Sequence, residues 1–153
     1  MKNQVFLFGA LIIGVFLMSK TLLSGTKGYR NNNAGNIRYN SANDWMGQVG
    51  DDGAGFVVFS DPVYGYRALA KLLTNYYAKG LQTIRQIINR YAPPVENNTG
   101  AYVDSVAAYL GRNPDEVLFL DRDLLPLMQA ISKHENGRIA YSDELVAQGI
   151  ALA

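Results

Sequence analysis

The hydrophobic pattern of the chain changes abruptly at Asp61-Pro62. Residues 26–61 are rich in Gly, Asn and aromatic side chains and show no helical period. Asp followed by Pro is a typical helix start, and from there apolar residues recur at helical spacing almost to the end of the chain. The sequence therefore predicts an α+β, mainly α fold in which a small β lobe precedes about five or six helices.

The β lobe is predicted from two short runs, residues 35–39 and 55–59, which are rich in the aromatic and β-branched side chains of strands. Between them lie turn formers, namely Asn43, Asp44, Gly47, Gly50, Asp51, Asp52 and Gly53. Two strands joined by such a stretch are typical of a hairpin.

The N-terminal segment contains an unbroken apolar run from Val5 to Met18. Extended to Leu23, the run would span about 28 Å as a helix, close to the ~30 Å hydrocarbon core of a bilayer. We therefore predict a transmembrane anchor over residues 1–24 that contacts lipid through residues 5–23.

A cleaved signal peptide is the alternative for this segment. Lys2 would be its basic n-region, but Ser19-Lys20-Thr21 lacks the small-x-small pattern of a cleavage site. With the anchor retained, the chain is a single-pass membrane protein that carries one further domain, residues 25–153. The lysines and arginines on either side of the run leave its orientation open.

Composition excludes several kinds of site. The chain contains no Cys, which rules out disulfides, thiolate metal sites and a cysteine nucleophile. Its single His cannot form an all-histidine metal site, and the sequence has no phosphate-binding loop. The formal net charge of +1 gives no bulk attraction for nucleic acid. We therefore expect no metal, no cofactor and no nucleic-acid partner.

Glu135 is the first candidate for catalysis. It follows an apolar helical stripe that ends at Ile131, and Gly137 closes the helix directly after it. Burial and the negative end of the helix dipole both disfavour a charged carboxylate there, which suits a general acid. The simpler interpretation is a solvated Glu at a helix end. The neighbouring His134 is most simply a cation that stabilises the helix dipole.

A second group of residues has the chemistry of a sugar-binding groove. Aromatic rings stack on pyranose rings, and amides hydrogen-bond to hydroxyl and acetamido groups. The candidates are Asn31, Asn32, Asn33, Asn36, Tyr39, Trp45 and Tyr91. The simpler interpretation makes the asparagines turn residues and the aromatic side chains part of the core.

Residues 28–152 resemble a family of phage and prophage peptidoglycan-degrading virion proteins that are lytic transglycosylase-like or lysozyme-like. The matching stretches are Gly28-Tyr29-Arg30-Asn31-Asn32-Asn33-Ala34-Gly35-Asn36-Ile37-Arg38, Trp45-Met46-Gly47, Phe56-Val57-Val58-Phe59, Gly65-Tyr66-Arg67-Ala68-Leu69, Tyr91-Ala92-Pro93-Pro94-Val95-Glu96-Asn97-Asn98-Thr99 and His134-Glu135-Asn136-Gly137. The family usually has Pro where this chain has Ala34. The resemblance implies a membrane-anchored phage virion protein that cleaves peptidoglycan glycan strands.

A weaker resemblance links the chain to flagellar-type cell-wall glucosaminidases, which have a lysozyme-like fold. Their catalytic Glu lies at a helix end ahead of the β region, whereas this chain has no Glu before Glu96. The segment Leu127 to Gly137 resembles that catalytic helix, moved to the C-terminal side. The two resemblances together imply a lysozyme-like domain that is circularly permuted.

The resemblance also implies roles for individual residues. Glu135 would protonate the glycosidic oxygen, and Tyr91 would position the sugar or stabilise the oxocarbenium-like transition state. The implied groove residues are Asn33, Asn36, Trp45, Glu96 and Tyr102. A transglycosylase needs one carboxylate because the sugar's own hydroxyl attacks. A hydrolase needs a second, for which Asp51 or Asp52 is the obvious position.

The expected partners are peptidoglycan glycan strands, a lipid membrane and other virion proteins. The expected location is the internal membrane of the virion or the inner membrane of the host, with the domain acting on the periplasmic cell wall. Two alternatives remain open at this point. One is a catalytically inactive peptidoglycan-binding module, and the other is a structural virion membrane protein.

Overall fold

The computed structural model describes residues 25–153. Within these residues it contains six helices and a two-stranded antiparallel sheet. In chain order the elements are α1 (Lys27–Arg30), β1 (Gln48–Asp51), β2 (Val57–Phe59), α2 (Pro62–Ala78), α3 (Ile84–Tyr91), α4 (Thr99–Leu110), α5 (Leu120–Asn136) and α6 (Asp143–Ala151). This part of the chain is α+β and mainly helical, in agreement with the change of hydrophobic pattern along the sequence.

The β lobe is a hairpin of β1 and β2, and β2 lies within the second predicted run. The first predicted strand, residues 35–39, is wrong, because only Arg38 pairs there, in an isolated bridge to Phe56. Two backbone hydrogen bonds form this bridge, from the Tyr39 N–H to the Gly55 carbonyl at 2.9 Å and from the Val57 N–H to the Ile37 carbonyl at 3.0 Å. The side chain of Asn33 also supports this segment. Its Nδ2 donates to the Ile37 carbonyl at 3.0 Å, and its Oδ1 accepts from the Ile37 N–H at 2.8 Å.

Local capping signals set the boundaries of the helices. Asp61 caps α2 through its side chain, and Thr83 and Gln86 form a reciprocal capping box at the start of α3. Helices α4 and α5 end at Gly111 and Gly137, with φ of 62° and 74°. Glycine adopts this left-handed conformation without steric cost, so both predicted helix ends are confirmed.

The core lies between helices α2 to α6, all of which contribute buried side chains. Tyr66 in α2 is buried, and its hydroxyl donates to Ser132 of α5 at 3.0 Å. Gly149 in α6 packs directly on α2, since a Cβ at this position would lie 2.6 Å from the Tyr66 Cβ. The C-terminal half of α5 is thereby fixed in the core, and Glu135 lies in its last turn.

The prediction of a membrane-spanning helix, and of a single-pass membrane location with it, is corrected by the structure. In residues 25–153 no helix is both long and apolar enough to cross a bilayer. The longest described helices, α2 and α5, have 17 residues each, fewer than the ~20 apolar residues that a span requires. The segment to which the prediction applied, residues 1–24, lies outside the described residues.

Candidate active site

Glu135 is held by two hydrogen bonds from distant parts of the chain. Its Oε2 accepts from Asn36 Nδ2 at 2.7 Å, and its Oε1 accepts from the Tyr102 hydroxyl at 2.9 Å. These donors come from the segment before the β lobe and from α4. Each carboxylate oxygen therefore has its own fixed donor, and the plane of the carboxylate is determined.

The segment from Asn33 to Ile37 is shaped so that Asn36 can reach Glu135. Asn33 is 0% exposed, and its Nδ2 donates to the carbonyl groups of Ile37 and Val57 at 3.0 and 2.9 Å. The Asn36 N–H donates to the Asn33 carbonyl at 2.9 Å, and Asn36 has a positive φ of 50°. Asparagine tolerates this conformation better than most residues, which explains its presence at the turn.

The same segment is bonded to α5 a second time, through Asn136. Its Nδ2 donates to the Ala34 carbonyl at 2.9 Å and to the Ser132 carbonyl at 2.8 Å. Gly28 makes room for this side chain, because a Cβ at position 28 would come within 2.5 Å of Asn136 Oδ1. The sequence analysis gave Asn136 no role, although it follows Glu135 directly in one of the quoted motifs.

Tyr91 ends α3, and its hydroxyl donates to the Gly35 carbonyl. Burial raises the pKa of the Tyr91 phenol well above its ordinary value, and the negative charge of Glu135 raises it further. Tyr91 is therefore a neutral phenol at physiological pH. A neutral phenol can position a bound sugar, but it carries no negative charge with which to stabilise an oxocarbenium-like transition state.

Tyr102 lies beneath Glu135 and is only 2% exposed. Burial raises the pKa of its phenol, and its ring stacks on His134 with 3.7 Å between ring centroids. Burial of the imidazole lowers the pKa of His134, and the negative charge of Glu135 raises it by a smaller amount. Tyr102 therefore orients the carboxylate, and the groove contact expected for it is not what the structure shows.

Glu135 faces a cleft with a volume of about 1650 Å³. Of the residues predicted for the site, Asn36, Trp45, Tyr91, Glu96 and Glu135 line this cleft. Two further predicted residues, Asn33 and Tyr102, do not line it, because both are buried in supporting hydrogen bonds. The cleft is large enough for several sugar rings.

Two polar atoms of the cleft residues are left without a partner. Asn36 Oδ1 and Trp45 Nε1 are shielded from solvent and accept or donate no hydrogen bond within residues 25–153. Buried polar groups are usually satisfied, so unpaired atoms in a cleft are candidates for contact with a ligand. One is an acceptor and the other a donor, which matches the mixed hydrogen-bonding groups of an acetamido sugar.

The second carboxylate that a hydrolase would need is not supplied by the hairpin. Asp51 and Asp52 accept hydrogen bonds from backbone N–H groups of their own loop, and neither lines the cleft. The hydrogen bond from Asn31 lowers the pKa of Asp52. Apart from Glu135, the carboxylate side chain that lines the cleft in the described residues is Glu96, which is paired with Arg38 at 2.7 Å.

Residues 25–153 contain no cluster of three or more side chains suited to hold a metal ion.

Among known proteins, the chain is similar to Protein P5 of Pseudoalteromonas phage PM2. The two are 34% identical over 152 residues, which cover 97% of this chain and 94% of that protein. No protein-family model matches the chain.

Proposed function

The chain belongs to the family of Protein P5 of Pseudoalteromonas phage PM2, and we propose that it cleaves the glycan strands of bacterial peptidoglycan to open the cell wall locally for a phage. The observation that carries this proposal is the carboxylate of Glu135, fixed by Asn36 and Tyr102 at the wall of a large cleft. A single oriented carboxylate in a polar, aromatic cleft supports cleavage by the transglycosylase route, because there the sugar's own hydroxyl attacks and one general acid suffices.

In the proposed reaction, protonated Glu135 gives its proton to the glycosidic oxygen between N-acetylmuramic acid and N-acetylglucosamine. The bond from this oxygen to C1 breaks, and an oxocarbenium-like centre forms at C1. The C6 hydroxyl of the same muramic acid attacks C1, and the Glu135 carboxylate accepts the hydroxyl proton. The products are a 1,6-anhydro sugar and a free 4-hydroxyl group, and Glu135 is protonated again.

The transglycosylase reaction is favoured over hydrolysis by the distribution of carboxylates. Hydrolysis would call for a second carboxylate to activate water or to form a covalent intermediate. Asp51 and Asp52 are bonded within their loop, and Glu96 is bonded to Arg38. An intramolecular hydroxyl needs no such partner, because Glu135 itself can accept its proton.

Three residues of the cleft support substrate binding in this proposal. Trp45 offers a ring face for stacking on a pyranose, and its unpaired Nε1 can donate to a carbonyl or hydroxyl oxygen. The unpaired Oδ1 of Asn36 can accept from the N–H of an acetamido group while its Nδ2 stays on Glu135. Tyr91 closes the cleft beside them.

The products of digestion test this proposal directly. We expect the full chain to release anhydro-muropeptides from purified Gram-negative peptidoglycan, identified by mass spectrometry. Reducing-end products would show hydrolysis and would point to Glu96 as the second carboxylate. If no fragments appear while circular dichroism shows a folded protein, the chain is a binding or structural protein and the proposed cleavage is refuted.

Replacement of Tyr102 by Phe tests whether its hydrogen bond to Glu135 Oε1 is needed to orient the carboxylate. The substitution removes the donor to Oε1 and keeps the ring that stacks on His134. A hydrogen bond to a charged group contributes about 1.5 kcal/mol or more, so we expect kcat to fall about tenfold while KM stays unchanged. Initial rates of turbidity loss on peptidoglycan at several concentrations give both constants.

Tyr109→Phe on the same helix is the matched control, because the Tyr109 ring lies over Lys133 and outside the cleft. An unchanged kcat in Tyr102→Phe would show that orientation of Glu135 does not depend on this donor.

A further inference from the structure

The cleft is more positively charged than the chain as a whole, whose formal net charge is only +1. The basic side chains that line it are Lys27, Arg38, Lys71, Lys79 and Arg90. The acidic side chains that line it are Glu96 and Glu135. Since Arg38 and Glu96 pair with each other at 2.7 Å, four basic side chains face one remaining carboxylate side chain, Glu135, and the terminal residue Ala153.

Three of these cations come from one stretch of the cleft lining, with Lys71 on α2, Lys79 directly after α2 and Arg90 on α3. Lys71 and Lys79 are eight residues apart, two helical turns, and Asn75 lies between them on the same face. Arg90 comes from the last turn of α3 and lies 5.9 Å from the ring centroid of Tyr76. We call Lys71, Lys79 and Arg90 the basic wall.

Two of the three cations of the basic wall, Lys79 and Arg90, have no acidic partner within the described part of the chain. No side chain of the wall pairs there with Asp or Glu, whereas Arg38, Arg85, Arg112 and Arg122 all do. Lys71 donates at 3.3 Å to an oxygen of Ala153, which in the printed sequence belongs to the terminal carboxylate, and Arg90 hydrogen-bonds to the uncharged phenol of Tyr76. Like charges gathered in a cleft repel one another, and an anion bound in the cleft relieves this repulsion.

We propose that the basic wall binds the carboxylates of the peptide stems on N-acetylmuramic acid. The preferred substrate is then a glycan strand that still carries its peptides. This inference rests on the proposed cleavage of peptidoglycan. The sugar rings themselves are neutral, and stacking and amide contacts suffice for them. A strand stripped of its peptides keeps one lactyl carboxylate per disaccharide, whereas each stem adds further carboxylates beside the strand. Ammonium and guanidinium groups are the natural partners of these carboxylates.

A nucleic acid is the other polyanion that a basic surface could take. The observations favour peptide stems, because Glu135 and Glu96 lie in the same cleft and would repel a continuous row of phosphates.

The test compares two substrates and two variants of the full chain. The substrates are peptide-bearing glycan strands and the same strands after an amidase has removed the peptides. The variants are Lys71→Gln/Lys79→Gln, which alters exposed side chains of the wall, and Lys133→Gln/Arg138→Gln, which removes the same charge outside the cleft. For each pair we measure kcat/KM at low and moderate ionic strength.

We expect the unmodified chain to prefer peptide-bearing strands by about tenfold, and the wall variant to lose this preference. Two exposed charge contacts of ordinary strength account for an effect of this size. The wall variant should lose much more activity on peptide-bearing strands than on stripped strands, and the control variant should keep the preference. Added salt should reduce the preference in the unmodified chain.

Three results would overturn the inference. If the unmodified chain has equal kcat/KM on both substrates, or if the wall variant loses equally on both, the basic wall does not bind peptide stems. Neither result would affect the proposed cleavage. Binding of a labelled single-stranded oligonucleotide that is lost in the wall variant and resists competition by muropeptides would assign the wall to nucleic acid. Cleavage of neither substrate by the unmodified chain would refute the proposed function and this inference with it.

Discussion

Replacement of Glu135 by Gln is expected to abolish most of the cleavage of peptidoglycan, with kcat lower by about 10²- to 10⁴-fold. An amide cannot give a proton to the glycosidic oxygen or accept one from the attacking hydroxyl. The fold should be preserved. The Gln carbonyl can still accept from Tyr102, and Asn36 can turn its unpaired Oδ1 toward the new amide group. KM should therefore change little.

The measurement is the initial rate of fragment release at saturating substrate, together with the thermal unfolding midpoint of each protein. Glu116→Gln is the matched control, since Glu116 is exposed, lies outside the cleft and pairs only with Arg112. A rate within a few-fold of the unmodified chain in Glu135→Gln would mean that another group supplies the proton. Glu96 would then be the residue to replace next.

Replacement of Asn33 by Ala should have the largest effect on stability. The side chain is fully buried and makes three hydrogen bonds, to the N–H and carbonyl groups of Ile37 and to the carbonyl of Val57. Alanine would leave the Ile37 N–H buried without a partner, which costs about 1–3 kcal/mol. It would also remove one donor each from the carbonyls of Ile37 and Val57, at about 0.5–1.5 kcal/mol each, while the Ile37 carbonyl still accepts from the Val57 N–H. Allowing for partial relaxation, we expect the free energy of unfolding to fall by about 3–5 kcal/mol.

Urea denaturation followed by circular dichroism gives this difference. Asn89→Ala is the control, because Asn89 is exposed on α3 and donates only to the Arg85 carbonyl. Its effect should stay within about 0.5 kcal/mol. Below the unfolding transition, Asn33→Ala should also lower kcat, because Asn36 depends on this turn to reach Glu135. A loss of stability below about 1 kcal/mol would show that the segment is held by other contacts.

The helical part of the fold could be predicted because its signals are local. Asp61 at the start of α2 and the glycines at 111 and 137 act through neighbouring backbone groups only. The placement of Glu135 on the last turn of a half-buried helix follows from the same 3.6-residue period. By contrast, the run at residues 35–39 has the composition of a strand, but its pairing with the segment before β2 is limited to one bridge at Arg38, and the Ile37 N–H bonds to the side chain of Asn33.

What the sequence by itself determined is the order of the helices after Asp61, the position of a small β lobe ahead of them and the helix that carries Glu135, whereas the first strand of the hairpin was predicted in the wrong segment. Only the tertiary structure decided what surrounds that carboxylate. Asn36 and Glu135 are 99 residues apart in the chain, and Asn136 and Ala34 are 102 apart. The physical reason is that a hydrogen bond between distant side chains leaves no periodic signal in either segment. Asn33 and Asn36 are alike in sequence, and only packing makes one a buried support and the other a wall of the cleft.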